Sequence, residues 1–297
     1  MKVSSFLDPA VLARIDNLEL LARTVVDGFI NGLHRSPYLG LSIDFAEHRQ
    51  YMPGDDIRRI DWRVFGRTDR FYVKEFEADT NANFVVVLDV SRSMDYASGE
   101  ISKLDYARYL AACLSYFSRR QRDRVGLATI AGALVDFVPP SAKHLDIVLH
   151  TIDRAQPHGG GDLAGPLLKI AEAIRGRSII ALISDLYEDP RAVLRAVSYL
   201  KNKGNDIIVF QVLDPAEIEF PFEGPVHFED LESGERVPVV PELQREGYRE
   251  LMRSHLDDVS RLLLDNRIDY SLFNTSDPLD HALFSYLLRR EKLSRVR

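Results

Sequence analysis

Three oxygen-bearing side chains follow a strongly apolar run in the first third of the chain. Asp89, Ser91 and Ser93 alternate directly after residues 84–88, which are β-branched, aromatic or leucine. A short, continuous apolar run of this kind is typical of a buried parallel strand. Ligands of open α/β sheets gather at the carboxyl ends of the strands, and Mg²⁺ prefers oxygen ligands. The spacing therefore predicts a divalent-cation site, which needs a second carboxylate from elsewhere in the chain.

Composition indicates a globular protein without a broad nucleic-acid-binding face. The 297 residues are 45% hydrophobic and carry a net charge of -7, whereas nucleic-acid binding favours a strongly basic face. The one cysteine, Cys113, lies in a helical apolar pattern and fits a reducing compartment. The chain opens with no secretory signal pattern, and no apolar run approaches the roughly 18 residues of a membrane span. We expect a cytoplasmic protein that binds neither nucleic acid nor membranes.

Strand and helix patterns alternate after residue 81, which predicts a doubly wound, mostly parallel α/β sheet. An amphipathic helix and an irregular, charge-rich region precede it. We therefore divide the chain into an N-terminal extension over residues 1–80 and an α/β domain over residues 81–297. The alternation breaks at about 214–240, where proline residues and the turn sequence at 232–235 predict a β-hairpin insertion.

The segment Asp89-Val90-Ser91-Arg92-Ser93 resembles the metal-ion-dependent adhesion site of von Willebrand factor type A domains. In that family this loop provides part of a Mg²⁺ shell, and a Thr from a second loop and an Asp after a later strand complete it. A carboxylate of the partner often takes the last position. Asp185 follows the apolar run 178–184 and matches the later Asp. The resemblance implies that Asp89, Ser91, Ser93 and Asp185 hold Mg²⁺ or Mn²⁺, that the fold is von Willebrand type A-like, and that an acidic protein is the ligand.

The second loop departs from the family pattern. It reads Gly-Gly-Gly-Asp-Leu at residues 159–163, so Gly161 stands where relatives have Thr and provides no side-chain oxygen. Water could fill that coordination position, because Mg²⁺ usually keeps several waters. Asp162 is an additional candidate ligand, although a residue directly before an apolar helical pattern is also a good helix N-cap. Metal occupancy is therefore open from the sequence.

The region before the strand carries a longer signature. Residues 49–62 read Arg-Gln-Tyr-Met-Pro-Gly-Asp-Asp-Ile-Arg-Arg-Ile-Asp-Trp and resemble the domain of unknown function 58 family, and residues 73–77 continue the likeness. The resemblance covers about residues 35–215. Members of that family are often encoded beside MoxR-type AAA ATPases, which implies a MoxR-type ATPase as a partner and an adaptor role. The family gives no reaction.

The same signature mixes acidic and basic residues at high density. One reading is an ion-paired flap in which bidentate arginine–carboxylate pairs fix the segment and a tryptophan anchors it in the core. The other reading is a partner-binding surface. The candidate partner-binding residues are Asp55, Asp56, Arg58, Arg59, Asp61 and Trp62.

Two other interpretations of the Asp89 loop stay open. Asp and Ser side chains also favour turns and helix caps through local hydrogen bonds. An Asp at a strand exit also begins Mg²⁺-dependent phosphatases of the haloacid dehalogenase type, but those use Asp-x-Asp, and Ser91 replaces the second Asp. The chain contains no Gly-x-Ser-x-Gly motif of a serine hydrolase. We expect a non-enzymatic interaction module, with a Mg²⁺-dependent hydrolase as the alternative.

Overall fold

A computed structural model of the chain describes residues 9–15, 17–35, 47–50, 65, 70–75 and 82–286. Over 31–35, 47–50 and 72–75 it describes the backbone alone. The candidate partner-binding residues of the charged signature lie outside the described residues; these are Asp55, Asp56, Arg58, Arg59, Asp61 and Trp62.

Ten strands form three sheets within the described residues. The strands are β1 (Glu47–Gln50), β2 (Tyr72–Glu75), β3 (Asn83–Asp89), β4 (Arg124–Ile130), β5 (Leu134–Ser141), β6 (Ser178–Ser184), β7 (Asp206–Leu213), β8 (Val226–Glu229), β9 (Arg236–Val239) and β10 (Asp269–Asn274). The central six-stranded sheet has the order β10-β7-β6-β3-β4-β5. Neighbouring strands in it are parallel except β4 and β5 at one edge, which are antiparallel.

The order of the central sheet defines where a ligand would bind. Numbered among themselves along the chain, the six strands run 3-2-1-4-5-6 across the sheet, starting from β5. This is the order of doubly wound sheets, whose ligands bind at the point where the strand order reverses. Here the reversal lies between β3 and β6. The predicted fold, a doubly wound, mostly parallel α/β sheet, is confirmed.

Helices cover both faces of this sheet. They are α1 (Pro9–Leu12), α2 (Leu18–Arg35), α3 (Lys103–Arg120), α4 (Leu145–Asp153), α5 (Ala164–Ala173), α6 (Pro190–Asn202), α7 (Pro215–Glu219) and α8 (Pro241–Asp265), with further helical residues at 279–286. One buried cluster contains α2, α3, α4 and residues 279–286, and a second contains α5, α6 and α8. Among the described helices, none combines the length and the apolar content that crossing a bilayer requires.

The two buried clusters explain the apolar run that ends at Asp89. Phe84, Val86 and Leu88 belong to one cluster, and Val85 and Val87 belong to the other. A strand that is buried on both faces needs apolar residues at every position rather than at alternate ones. The paired strands β4 and β6 on either side fix the register of β3. The run therefore brings its first polar residue to the carboxyl edge of the sheet.

The N-terminal extension contributes to this core. Apolar residues of α2 lie in the same cluster as α3, and the ring of Phe29 contacts that of Phe117 edge to face at 6.4 Å between centroids. The region that sequence patterning treats as irregular also contains the antiparallel pair β1 and β2. Its residues are mostly polar or charged at both facing positions, so no apolar alternation marks these strands in the sequence.

The predicted insertion contains a hairpin formed by β8 and β9, which is hydrogen-bonded only within itself among the described strands. An aromatic cluster lies at its base. In it Phe220 stacks on Phe228 and on Tyr248, and Phe222 meets Phe228 edge to face. The tip is held by Asp230, whose carboxylate accepts hydrogen bonds from the backbone N–H groups of Glu232 and Ser233. The hairpin therefore has a packed base and an ordered tip.

Candidate functional site

The switch point of the sheet brings the predicted site residues together. Asp89 ends β3, and Asp185 directly follows β6, the parallel neighbour of β3. Both carboxylates are buried, at 5% and 4% exposure. A cavity of about 410 Å³ is lined by both of them and by Ser91, Ser93 and Asp162. All five candidate metal ligands thus surround one cavity at the carboxyl edge.

Asp89 is held by two hydrogen bonds. Its Oδ1 accepts one from the backbone N–H of Ser91 at 2.9 Å, and its Oδ2 accepts one from the hydroxyl of Ser184 at 2.6 Å. Burial, and then the charge of Asp185, raise the pKa of Asp89 to about 6, although these hydrogen bonds act in the opposite direction. Asp89 is therefore a carboxylate whose charge changes just below neutral pH. Ser184 was not singled out by the sequence, because nothing in a strand pattern shows which hydroxyl faces Asp89.

The two loop serines have the spacing of neighbouring metal ligands. Their Oγ atoms lie 3.0 Å apart and share a hydrogen bond. In an octahedral Mg²⁺ shell with bonds of 2.0–2.1 Å, adjacent oxygens are roughly 2.9 Å apart. Met94 is fully buried in the turn that follows, and the backbone N–H of Arg92 donates to Gly159 O at 3.2 Å. The loop is therefore fixed with both hydroxyls side by side.

Lys103, at the start of α3, contributes a cation that sequence reasoning missed. Its side chain is completely buried, and its Nζ donates to Asp185 Oδ2 at 2.9 Å and to Glu217 Oε1 at 2.7 Å. Burial lowers the pKa of Lys103, but the two carboxylates outweigh this effect and the pKa is raised overall. The ammonium also lies 4.8 Å from the centre of the Tyr187 ring. The capping box at Ser102 marks the start of α3, but it gives no sign that the next side chain is a buried cation.

Three glycines from two loops, Gly132, Gly160 and Gly161, pack closely at the position where a threonine would stand. A Cβ atom on Gly132 would lie 2.3 Å from the carbonyl oxygen of Gly160, and one on Gly161 would lie 3.0 Å from Gly132 Cα. Gly161 also has φ +138°, a conformation that residues with side chains rarely adopt. The close approach of the two backbones therefore favours glycine at position 161, where the adhesion-site pattern that the sequence resembles has Thr. No side-chain oxygen reaches the cavity from that position.

The hairpin places a carboxylate against these glycines. Glu232 lines the same cavity, and a Cβ atom on Gly160 would lie 2.4 Å from Glu232 Oε2. The carboxylate of Glu232 therefore occupies the space that a side chain at position 160 would need. Burial, and then the charge of Asp185, raise the pKa of Glu232. The sequence predicts the hairpin but not the place of its tip, which depends on the contacts at its base.

Asp162 lies between the cavity and the start of α5, where Leu163 rather than Asp162 is the N-cap residue. It lines the cavity, and its Oδ1 accepts a hydrogen bond from the backbone N–H of Gly165 in the first turn of α5 at 3.2 Å. Nearby, Glu188 Oε1 accepts from the backbone N–H of Leu163 at 2.7 Å. Both carboxylates therefore fix the start of α5 as well as adding negative charge around the cavity.

The donor set fits a hard cation that is bound mainly by hydroxyls and water. Across the described part of the chain, no three His, Cys, Asp or Glu side chains are grouped so that they could hold one metal ion. The site offers two serine hydroxyls at ligand spacing and two buried carboxylates, a composition that suits Mg²⁺ or Mn²⁺ with several retained waters. One of these carboxylates, Asp185, is already paired with the buried ammonium of Lys103 at 2.9 Å.

Comparisons with known proteins agree on the family and the fold. Residues 47–258 match the family described as "Protein of unknown function DUF58". The uncharacterized protein Rv1480 of Mycobacterium tuberculosis is 30% identical over 263 residues, which cover 86% of this chain and 82% of that protein.

Two solved structures are similar in fold. BatB from Bacteroides thetaiotaomicron has a TM-score of 0.50 at 18% identity over 71% of this chain and 99% of that one. An aerotolerance-related membrane protein from Bacteroides fragilis has the same TM-score and identity over 71% of this chain and 98% of that one. At 18% identity these two structures show a similar fold and nothing more. The family match covers most of the chain, and we conclude that the chain belongs to the DUF58 family.

Proposed function

We propose that this chain is a non-enzymatic protein-interaction module that recognises an acidic group of its partner through a bound Mg²⁺ or Mn²⁺. The observation that carries this proposal is the pair of serine hydroxyls at ligand spacing beside two buried carboxylates. Ser91 and Ser93 would hold the ion directly, and Asp89 and Asp185 directly or through water, with Asp162 at the rim. When bound, the ion would supply a positive charge with a free coordination position for a carboxylate.

The surroundings of the site support a recognition role, because they keep its donors in place before a partner arrives. The backbone carbonyl of Asp185 accepts a hydrogen bond from Gln211 Nε2 at 2.7 Å. The next residue, Leu186, has a positive φ of 54°, and its carbonyl lies 2.9 Å from His255 Nε2. Metal-ligand side chains that are already fixed lose little conformational freedom when the ion and the partner bind, which favours affinity.

The negative charge around the cavity supports dependence on a metal. Asp162, Glu188 and Glu232 add carboxylates to Asp89 and Asp185 in its lining. An acidic ligand would be repelled from this surface, because like charges at short range cost free energy. We therefore expect a partner's Asp or Glu to bind only when a divalent cation lies between the two sets of carboxylates.

The arrangement of Asp89 favours recognition over hydrolysis. A phosphatase of the Asp-x-Asp kind needs a free carboxylate as nucleophile and a second carboxylate two residues later as acid and base. The residue two positions after Asp89 is Ser91, whose hydroxyl cannot act as that second carboxylate. The hydrolase alternative predicts metal-dependent phosphate release from a generic ester such as p-nitrophenyl phosphate, and we expect none.

The proposed partner is a MoxR-type AAA ATPase, for which this chain would act as an adaptor. Residues 47–258 match the DUF58 family. The resemblance to that family is the support for an ATPase partner. The charged signature at residues 55–62 is proposed as a second contact surface for that partner.

The first prediction tests metal-dependent capture. Immobilised protein should capture a MoxR-type ATPase from the same organism in Mg²⁺ buffer, and Asp89→Asn should abolish capture because it removes a ligand charge while keeping the side-chain shape. Asp95→Asn is the matched control, since Asp95 is exposed in the same loop. The Asp95→Asn variant should still capture the ATPase in Mg²⁺ buffer. EDTA should abolish capture by both this variant and the natural protein. Equal capture by the natural protein with and without EDTA would rule out the metal mechanism.

A further inference from the structure

Lys103 is a charged residue whose position needs a functional explanation. An ammonium group with no exposed surface is costly to bury unless carboxylates and hydrogen bonds compensate it. Here two carboxylates do so, Asp185 at 2.9 Å and Glu217 at 2.7 Å. One of these partners, Asp185, is also a candidate ligand of the divalent cation. Lys103 and the ion would therefore share a carboxylate.

Two cations close to one carboxylate must affect each other's binding. Asp185 Oδ2 already accepts the Lys103 hydrogen bond, so its charge is partly neutralised before any ion arrives. A divalent ion that approaches Asp185 would also be repelled by the ammonium, in a buried region where charges are weakly screened. Both effects weaken the binding of the ion.

We infer that Lys103 is the resident counter-cation of this site and sets its affinity for divalent cations by competing with them for Asp185. The inference rests on the proposed function, because it concerns the same cation site. In the ion-free protein Lys103 neutralises Asp185, and in the ion-bound protein the ion takes over part of that role. The site thus changes between a lysine-paired and an ion-paired state.

Glu217 makes this exchange possible. It lies in α7, and its Oε1 would keep the ammonium paired while the ion attracts Asp185. Glu217 is itself fixed, because its Oε2 accepts from the backbone N–H of Asp214 at 2.8 Å and its carbonyl accepts from Tyr248 at 2.9 Å. Lys103 is therefore never left buried without a carboxylate. The same contacts connect the cation site to the base of the hairpin insertion.

Replacing Lys103 with Gln gives a test with a definite sign. Lys103→Gln removes the competing charge, so the dissociation constant for Mn²⁺ should fall by about tenfold or more. Without metal the variant should melt at a lower temperature than the natural protein, because Asp185 and Glu217 lose their counter-ion. Saturating Mn²⁺ should raise its melting temperature more than it raises that of the natural protein. A purely structural lysine would instead give weaker Mn²⁺ binding.

Calorimetric titration with Mn²⁺ and thermal unfolding with and without Mn²⁺ would measure these effects. Lys103→Arg keeps the charge and should bind Mn²⁺ no more tightly than the natural protein. Lys143→Gln removes an exposed positive charge elsewhere and should leave the affinity unchanged. If Lys103→Gln does not fold, the shift of the Lys103 side-chain NMR signal on adding Mg²⁺ to the natural protein gives the second measurement, and an unchanged signal would overturn the inference.

The outcomes separate this inference from the proposed function. Equal or weaker Mn²⁺ binding by a folded Lys103→Gln, with binding by the natural protein intact, would overturn the role of Lys103 alone. Binding by the variant but not by the natural protein would support that role and contradict metal-dependent recognition in the natural chain. Absence of binding in both would overturn both proposals.

Discussion

Asp89 is the residue on which the proposed cation site depends most. It is buried beside a second carboxylate, and this environment raises its pKa from 3.8 to about 6. The raised value means that the folded protein takes up a proton at Asp89 as the pH falls through about 6, whereas the unfolded chain does so near 3.8. The contribution of Asp89 to stability is therefore favourable at low pH and is lost as the pH rises through this window. A proton and the proposed metal ion would therefore compete for the same carboxylate.

The second prediction follows from this competition. The affinity for Mn²⁺ should increase as the pH rises from 5 through about 6 and level off about one unit above that pKa, because Asp89 is then ionised. Glu232 has a raised pKa and adds to the same trend, while Lys103 stays charged throughout. Calorimetric titrations between pH 5 and pH 7.5 would measure this. An affinity that does not change over that range would show that Asp89 is not a ligand.

Residue types and spacing reveal only part of such a site. Asp89, Ser91 and Ser93 were found because they alternate after a buried strand, and Asp185 because it matches the later Asp of the pattern that this loop resembles. Lys103 could not be found this way, because it lies 82 residues from Asp185 in the chain and only the packing of α3 brings the two together. Glu232 depends likewise on how the hairpin folds back. Local sequence patterns do not reveal contacts between residues that are far apart in the chain.

At the scale of elements, the site is shaped by loops that approach each other closely. Gly132 follows β4, with φ +64° and the carbonyl oxygen of Gly160 where its side chain would be. This contact holds the loop after β4 against the glycine loop that leads to α5. The pattern of three consecutive glycines signals an unusual loop in the sequence, but the reason for it is the neighbouring backbone.

The third prediction concerns this contact. Gly132→Ala should lower the free energy of unfolding by about 2 kcal/mol or more, because it combines an unfavourable φ with a backbone clash. Gly204→Ala is the matched control. Gly204 has a similar φ of +82° with no atom within 4 Å of a Cβ, so it should lose only about 1 kcal/mol. Urea denaturation would measure both, and equal losses would show that the close approach of the loops does not contribute.

At the scale of the whole molecule, the fold follows from the alternation of buried strands and amphipathic helices. That alternation predicted the doubly wound sheet, and the strand order puts the end of β3 beside the end of β6. The pairing of β1 with β2 was not predicted, since their residues are mostly polar and lack an apolar period. The packing of α2 on α3 was also not predictable, because an amphipathic pattern shows that a helix has an apolar face but not what covers it.

The whole molecule thus combines a fold that commonly binds ligands at its switch point with a site that lacks one oxygen of the adhesion-site pattern that its sequence resembles. Gly161 removes one side-chain oxygen, and Lys103 already neutralises one carboxylate. Both features lead us to expect weak binding of a divalent cation rather than its permanent retention. Recognition that depends on a weakly bound ion would respond to the concentration of that ion.

Calorimetric titration of the purified protein with Mg²⁺ and Mn²⁺ at neutral pH, beside Asp89→Asn, tests the central claim most directly. We predict saturable binding at one site in the natural protein and none in Asp89→Asn, with Asp95→Asn binding like the natural protein. Absence of binding in the natural protein, or equal binding in Asp89→Asn, would contradict a cation site at the ends of β3 and β6.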